Sequence, residues 1–540
     1  PVTHFGIGDS TIKNLHITWP SGNEQHFTSL TSGRHYQITE SEESVKPLPI
    51  SPTEPFFEVA KDSLGLDFEH RENPHNDFLT QPLLPNKLSR FGPALAVADI
   101  NGDQLPDVFA GSAKGKRSAL YLQKSDGGFQ ELGSLALEAD RGFEDVAATW
   151  FDADGDADLD LYVVSGGAAH EAGSEYYQDR LYLNDGSGNL TSTALPEIRS
   201  SGSCVASSDI DGDGDFDLFI GARFVPGKYP TPPQSTLLIN EGGSFTAIDS
   251  PVSDAGMVTG AVWVNLDADG RDDLALSCEW GPVRIFKNKP EGLVEIPSGM
   301  ENLTGWWTSI AAGDLDHDGD VDLIAGNFGL NTKYHVDPEH PATLFAADFG
   351  KNGELQVVEA KLKEGKLLPV RGRSCSTSAM PHLKKRAPSY TAFATLSLDE
   401  LYTEDALETA QRLEAKTLAT TLFRNDGNGR FTAEPLPMLS QLAPVMSIAL
   451  DDFNDDGFLD AALGQNFNHP QRETGRMNAG LSVLLTGSKE GTLNELWPAK
   501  SGLTLRSDTR QVISADLNHD GKPDLLIGGN AEPLKVLLKQ

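Results

Sequence analysis

The chain has 540 residues, of which 38% are hydrophobic, and its formal net charge at pH 7 is −36. This length exceeds one ordinary domain, and 53 glycines with 32 prolines favour a turn-rich β protein over a helical one. The excess of acidic residues makes nucleic acid and anionic membrane surfaces poor partners.

Residues 1–40 predict a small β module. Short strands are expected at Leu15–Trp19, Gln25–Phe27 and Tyr36–Ile38, with a Pro-Ser-Gly turn at 20–22. Residues 41–54, which are rich in Pro and Glu, predict a linker. The sequence contains no run of 18 apolar residues, so no transmembrane segment is predicted. The chain begins inside what reads as a domain, so we expect it to be part of a longer chain or complex.

Residues 55–540 predict one repeat domain, because an acidic loop recurs seven times there. The copies start about 50 to 65 residues apart, with one gap of about 140. Each copy has Asp or Asn at positions 1, 3, 5 and 9, and Gly at position 6 or, in the first two copies, at position 4. The predicted metal ligands are, copy by copy, Asp99, Asn101, Asp103 and Asp107; Asp152, Asp154, Asp156 and Asp160; Asp209, Asp211, Asp213 and Asp217; Asn265, Asp267, Asp269 and Asp273; Asp314, Asp316, Asp318 and Asp322; Asp452, Asn454, Asp456 and Asp460; Asp516, Asn518, Asp520 and Asp524.

Carboxylates at this spacing repel one another unless a cation compensates them. Ca²⁺ prefers oxygen ligands from short turning loops, and the carbonyl of position 7 can join the four side chains. The loops lack the Glu at position 12 and the flanking helices of an EF-hand. A solvated acidic turn explains one copy as well, but seven copies in register favour several structural calcium ions.

Hairpins follow the loops, as in Leu181–Gly188 and Leu422–Phe431, so each unit supplies four strands. The predicted fold is an all-β, seven-bladed β-propeller in which Phe56–Val59 completes the last blade. The long gap predicts a partly helical insertion over about 345–420, with a helical stretch at 398–418. If Thr343–Gly353 instead opens a blade, the ring has eight.

The run from His4 to Gly8, together with Trp19–Gly22, resembles the ASPIC/UnbV module. The acidic loops and hairpins of about 56–540 resemble FG-GAP/VCBS repeats. Together these resemblances suggest a cartilage acidic protein-like family, in which the module usually follows a repeat domain. They imply a calcium-stabilised propeller at the cell surface or outside the cell, and they do not specify an activity.

Other candidate positions have structural interpretations beside functional ones. Polar loops at 327–334 and 465–472 follow strand ends and either cap them or line a sugar site. A basic segment at 361–386 is either solvated or docks an anionic ligand or protein. The cysteines, which are Cys204, Cys278 and Cys375, are either free thiols or include a Cys204–Cys278 bridge.

The sequence favours an adhesion propeller that recognises a glycan or protein partner. No catalytic motif is evident, and no catalytic residue is assigned. The alternatives are a carbohydrate-active or other hydrolytic enzyme with a loop-built pocket, and a scaffold subunit of a larger surface complex.

Overall fold

The computed structural model describes residues 11–19, 24–41, 54–427 and 429–540. The chain separates into two units, Pro1–Glu54 and Pro55–Gln540, and each is described by itself. The turn at 20–22 and most of the predicted linker lie outside the described residues. The domain boundaries proposed from the sequence stay a prediction.

The first unit contains an antiparallel hairpin of strands Thr11–Thr18 and Glu24–Thr31. Leu15 lies opposite Phe27, and both are half-buried on one face of the hairpin. The strand predicted at Tyr36–Ile38 is wrong, because no strand forms there. The Tyr36 hydroxyl instead accepts the Thr31 N–H at 2.9 Å, which ties this segment to the end of the hairpin.

In the described part of the second unit, seven antiparallel sheets follow one another, each with four strands in simple order. Sheet 1 has Leu95–Ala98, Asp107–Ala110, Ala119–Gln123 and Phe129–Leu132; sheet 2 has Asp145–Phe151, Asp160–Ser165, Arg180–Asn184 and Leu190–Thr193; sheet 3 has Gly202–Ser208, Asp217–Ala222, Thr236–Glu241 and Ser244–Ile248. Sheet 4 has Val258–Val264, Asp273–Gly281, Arg284–Lys289 and Gly292–Glu295, and also pairs with Gly305–Trp306. Sheet 5 has Ser309–Gly313, Asp322–Gly326, Thr421–Asn425 and Phe431–Pro435; sheet 6 has Val445–Asp451, Asp460–Gln465, Val483–Thr486 and Asn494–Leu496; sheet 7 has Thr509–Ala515, Asp524–Gly529, Lys535–Lys539 and Phe57–Val59.

The sheets form a closed cycle of contacts. The first strand of each sheet packs against the first strand of the next, and sheet 7 packs against sheet 1. A separate apolar cluster fills each space between neighbouring sheets. The second strands are buried on both faces, as all six residues of Asp217–Ala222 illustrate, which explains their continuous apolar runs. The result is an all-β, propeller-like fold.

The two ends of the second unit meet in sheet 7. Phe57 lies opposite Lys539, and Val59 lies opposite Leu537. The prediction that the segment near Phe56 supplies the fourth strand of the last unit is therefore confirmed. Phe57 is buried against sheets 6 and 7, so this strand joins the first and last parts of the domain.

Residues 327–420 lie between the second and third strands of sheet 5. They hold an additional sheet of Ala342–Ala347, Gln356–Lys363, Lys366–Pro369 and Gln411–Ala415. Their helices are Arg373–Ala379, Leu383–Arg386, Tyr390–Thr395, Leu398–Tyr402 and Glu404–Glu408. The capping box of Ser397 and Glu400 is present. The helical stretch predicted to reach 418 ends at Glu408, because the chain then pairs as a strand with Ala342–Ala347.

Residues 60–92, here called the strap, run from sheet 7 to sheet 1. Gln81 exchanges two 2.9 Å hydrogen bonds with the Tyr229 backbone, and the Lys87 N–H donates to the His469 carbonyl. One apolar cluster joins the strap to the insertion. In each sheet the acidic loop, which joins the first and second strands, lies at one end of the strands. In sheets 1 to 6 the turn between the third and fourth strands lies at the same end. The strap and the insertion connect strands at the opposite end, so they cover the other face of the cycle.

The remaining helices are short. In the described residues they are α-helices at Leu135–Ala139 and Pro498–Ser501, and 3₁₀ turns at Ser63–Gly65, Asp77–Leu79, Glu175–Tyr177, Pro251–Asp254 and Met438–Gln441. None of the described helices has the length and apolar character needed to cross a membrane.

Candidate metal centres

Each acidic loop, numbered here by its sheet, joins the first and second strands. In loop 3, Asp209 Oδ1 accepts the N–H of Gly212 at 2.8 Å and that of Asp213 at 3.1 Å. Its other oxygen accepts the Gly214 N–H at 3.1 Å. Asp516 in loop 7 likewise accepts the N–H groups of Asp520 at 3.0 Å and Gly521 at 2.8 Å. The side chain at position 1 therefore organises the backbone of the turn.

Two positions in every loop have a left-handed backbone. In loop 3 these are Gly212 and Gly214, with φ of 82° and 100°. The other loops have Gly at only one of the two positions, and a residue with a side chain takes the other left-handed conformation: Gln104, Ala157, Ala268, His317, Asp455 and His519. This explains why Gly alternates between positions 4 and 6. A left-handed residue with a Cβ costs about 1–2 kcal/mol, so every loop except loop 3 holds some strain.

The Asp at position 9 is buried in every loop. Its Oδ1 accepts a backbone N–H from the third strand or the turn after it, as Asp107 does from Gln123 at 2.8 Å. In five loops its Oδ2 also accepts the N–H of position 2. Burial raises the pKa of Asp107 and Asp217 to about 6, and that of Asp460 to about 7. This residue is therefore a link between the loop and the third strand as well as a candidate ligand.

Side chains at the end of the third strands also connect neighbouring sheets. Asn184 of sheet 2 donates to the Ile100 carbonyl of loop 1 at 2.7 Å. The same bond is made by Asn240, Asn288 and Asn425 to loops 2, 3 and 4. Sheet 6 has Gly487 at this place, but Arg424 of sheet 5 donates to the Gly491 carbonyl there. The backbone conformation of each of these loops is thus coupled to the neighbouring sheet.

The oxygen atoms of the loops converge. Carboxylate oxygens lie within 4.8 Å of one another in three sets, which are Asp152, Asp154 and Asp160; Asp209, Asp211 and Asp217; Asp314, Asp316 and Asp318. The other four loops have Asn at position 1 or 3. Several loop oxygens are buried without a hydrogen-bond partner among the described residues: Asn265 Oδ1, Asp267 Oδ1, Asp314 Oδ1, Asp316 Oδ1 and Asp460 Oδ2. Unpartnered buried oxygens suit a hard dication such as Ca²⁺.

In two loops a cation of the chain contacts candidate ligands. A third cation, the Lys539 ammonium, lies at loop 6, where it is 3.8 Å from Asp455 and donates to the Phe453 carbonyl, but neither of these is a candidate ligand. The Lys287 ammonium of sheet 4 contacts Asp267 and lies 3.5 Å from Asp269. The Arg424 guanidinium of sheet 5 lies 2.9 Å from Asp322 and 3.3 Å from Asp316. The equivalent residues of the other sheets are uncharged: Leu122, Leu183, Ile239, Thr486 and Leu538. The sequence motifs did not reveal these cations, although Arg424 lies in the predicted hairpin at 422–431.

Buried ion pairs lie toward the middle of the cycle, and the sequence did not reveal them. They are Arg90–Glu72, Arg180–Asp145, Arg223–Glu279 and Arg510–Asp508. A cavity of about 70 Å³ is lined by Phe91, Arg223 and Arg510, among others. Burial and the charge of Arg510 lower the pKa of His70 nearby to about 4. Cations and carboxylates pair in this region, which offsets the cost of burying them. The strap is joined to the sheets here by hydrogen bonds, because Asn530 donates to Glu72, and Asn73 donates to Glu144 at 2.9 Å.

Several other predicted positions have structural roles. Asn327 is fully buried and donates to the Thr417 carbonyl at 3.3 Å, and Asn466 donates to the Ser507 carbonyl at 2.9 Å. Both loops therefore cap strands in the interior. In the basic segment Arg371 is buried beside Glu473, whereas most of the lysines are exposed. The cysteines are free, so a Cys204–Cys278 bridge does not form.

The second unit is an all-β, propeller-like cycle of four-stranded sheets with an acidic loop in each. The FG-GAP-like repeat family matches residues 78–163 and 265–325, and the ASPIC and UnbV family matches residues 1–45. The chain thus contains FG-GAP-like repeats and an ASPIC and UnbV domain, as the sequence motifs predicted.

Among curated proteins, the chain is similar to integrin alpha-V of Gallus gallus, with 28% identity over 165 residues. This match covers 24% of this chain and 15% of the integrin. Among solved structures, the V. cholerae biofilm matrix protein Bap1 is 12% identical, with coverage of 90% and 91% and a TM-score of 0.36. Raptor of Chaetomium thermophilum is 10% identical, with coverage of 87% of this chain and 29% of Raptor, and the same TM-score.

Proposed function

We propose that residues 55–540 form a seven-bladed, calcium-stabilised β-propeller that acts as an extracellular adhesion module. The seven acidic loops are its calcium sites, with ligands at positions 1, 3, 5 and 9. Two observations carry this proposal: carboxylate oxygens converge in three of the loops, and five loop oxygens are buried with no hydrogen-bond partner among the described residues. A buried, unpaired carboxylate oxygen is costly, and a bound dication removes that cost.

The loops are unequal in this proposal. Loops 4 and 5 already hold Lys287 and Arg424, so Ca²⁺ must displace a cation there. Among the described residues, no cation pairs with the candidate ligands of loops 1, 2, 3, 6 and 7, so Ca²⁺ binds these loops first; Lys539 at loop 6 pairs with Asp455, which is not a candidate ligand. Dissociation constants of about 10⁻⁴ to 10⁻³ M are typical of extracellular calcium modules. Sites of this affinity fill where calcium is abundant, which supports a location outside the cell.

The adhesion function is supported by the FG-GAP-like repeats and by the similarity to part of an integrin alpha chain. The partner that we propose is a surface glycan or protein. The strap and the insertion cover one face of the cycle, so the partner site lies on their outer surface or at the rim of the blades. Exposed lysines of the insertion, such as Lys361, Lys384 and Lys385, offer a basic surface on an acidic protein.

Calcium removal tests the first part of the proposal. At ten times its dissociation constant, each bound ion stabilises the native state by about 1.4 kcal/mol, so five sites contribute about 7 kcal/mol. We expect EGTA to lower the Tm markedly and Ca²⁺ to restore it, whereas Mg²⁺ restores less. Elemental analysis of the dialysed protein should find several calcium ions per chain. An unchanged Tm with no bound calcium contradicts the calcium part of the proposal. The adhesion part is tested separately, by measuring binding to a glycan array in Ca²⁺ and in EGTA.

A further inference from the structure

The hairpin of the first unit has an unusual polar face. Side chains of one strand alternate between faces, so His16 lies on the same side as Glu24 and His26 of the partner strand. The opposite side holds Leu15 and Phe27, which are half-buried. The two histidines and Glu24 are exposed, so apolar packing does not account for them.

The register brings the three side chains together. His16 lies directly opposite His26, and their rings are 4.1 Å apart and nearly parallel. His16 Nε2 lies 3.3 Å from Glu24 Oε2. One ligand atom from each residue lies within 4.8 Å of the other two. Ligands bound at about 2.0–2.1 Å in tetrahedral geometry are about 3.3–3.4 Å apart, so small side-chain rotations complete such a site.

We propose that His16, Glu24 and His26 bind a divalent transition-metal ion such as Zn²⁺ or Cu²⁺. Two imidazoles and one carboxylate form a ligand set that these ions prefer, whereas Ca²⁺ prefers oxygen ligands. The paired strands hold both imidazoles in place before the ion arrives, which reduces the entropy lost on binding. Three protein ligands leave a fourth position open for water or for a ligand atom from another molecule.

This site is separate in chemistry and in sequence from the acidic loops. It uses nitrogen ligands, lies in the first unit and does not depend on the calcium proposal. Protons compete with the metal for the imidazole nitrogens, so binding weakens as the pH falls. Because all three side chains are exposed, replacing them leaves the packing of the hairpin unchanged.

The test is titration of the full chain with Zn²⁺ in excess Ca²⁺, which keeps the acidic loops filled. We expect one strong Zn²⁺ site per chain, and about tenfold or greater loss of affinity in His16→Gln and in His26→Gln. His35→Gln is the matched control, because His35 is an exposed histidine of the same unit outside the cluster. Glu24→Gln should weaken binding less than either histidine substitution.

Cu²⁺ provides a second readout that reports the ligands themselves. Its electron paramagnetic resonance spectrum should show coupling to two imidazole nitrogens in the wild type and to one in His16→Gln. The Tm of the calcium-loaded protein serves as a check that each variant is folded. Absence of a strong site in the wild type overturns the proposal, and so does equal Zn²⁺ affinity in His26→Gln and His35→Gln.

Discussion

Replacing Lys287 by Leu tests whether a side-chain cation competes with calcium in loop 4. Leu occupies the equivalent position of sheets 1 and 2, where the loop has no cation of its own. Lys287 is 24% exposed and contacts Asp267 and Asp269, so its ammonium neutralises the same oxygens that would bind Ca²⁺. Asn265 Oδ1 and Asp267 Oδ1 in this loop have no hydrogen-bond partner among the described residues.

The magnitude follows from the contacts that Ca²⁺ must replace. A hydrogen bond to a charged group contributes about 1.5–3 kcal/mol, and 1.4 kcal/mol corresponds to a tenfold change in affinity. Removing the ammonium should therefore tighten Ca²⁺ binding at loop 4 by about tenfold to a hundredfold. Without calcium the same change leaves the loop carboxylates uncompensated, so the variant should be less stable than the wild type in EGTA.

Equilibrium dialysis over a range of free calcium measures the outcome. At intermediate calcium the Lys287→Leu protein should bind up to one more ion per chain than the wild type, and its rise in Tm on adding Ca²⁺ should be larger. Lys289→Leu is the matched control. It removes the same charge from the same face of the strand, and Lys289 has no ion pair among the described residues. Identical calcium binding by the wild type and Lys287→Leu would refute the competition.

Two further predictions concern single carboxylates. Asp217→Ala removes the acceptor of the Ile210 and Asn240 N–H groups, so it should destabilise the protein by about 2–4 kcal/mol even in EGTA. Asp211→Ala should lower the Tm in Ca²⁺ but not in EGTA, and the pair is compared by thermal melts in both buffers. Asp179 is buried against Tyr162, and burial raises its pKa to about 7. Because the folded state favours the protonated form, this carboxyl destabilises the protein as pH rises from about 4 to 7. The difference in Tm between Asp179→Asn and the wild type should therefore shift in favour of the variant as the pH rises from 5 to 8. A difference that stays constant over this range would contradict the prediction.

The repeated features of the fold could be predicted because their causes are local. An apolar run after each acidic loop predicted a buried strand, and the Gly-Asn-Asp turns predicted the hairpins that follow. Even the pairing of Phe57 with the C-terminal strand could be inferred, since the last unit lacked one strand. Each of these inferences needed only the alternation of side chains and the turn chemistry of a few neighbouring residues.

Features that depend on distant partners could not be predicted in this way. The buried pair Arg223–Glu279 joins residues of neighbouring sheets, and nothing near either residue marks it. Residues 411–415 have a helix-compatible charge pattern, but they form a strand because an open edge at Ala342–Ala347 is available. Tertiary pairing there overrides local propensity.

The two loops with their own cations are adjacent in the cycle, and this gives calcium an uneven role. Loops 6, 7, 1, 2 and 3 form one continuous arc in which no cation of the described residues pairs with a candidate ligand, although Lys539 lies 3.8 Å from Asp455 of loop 6. This arc contains the closure of Phe57–Val59 on sheet 7. Loops 4 and 5 belong to the two sheets that contact or contain the insertion, and Arg424 of sheet 5 also supplies the link between sheets 5 and 6. Charge compensation in that second arc comes from the chain itself. Calcium removal therefore acts mainly on the arc that holds the two ends of the domain together, while the sheets that anchor the insertion keep their internal compensation.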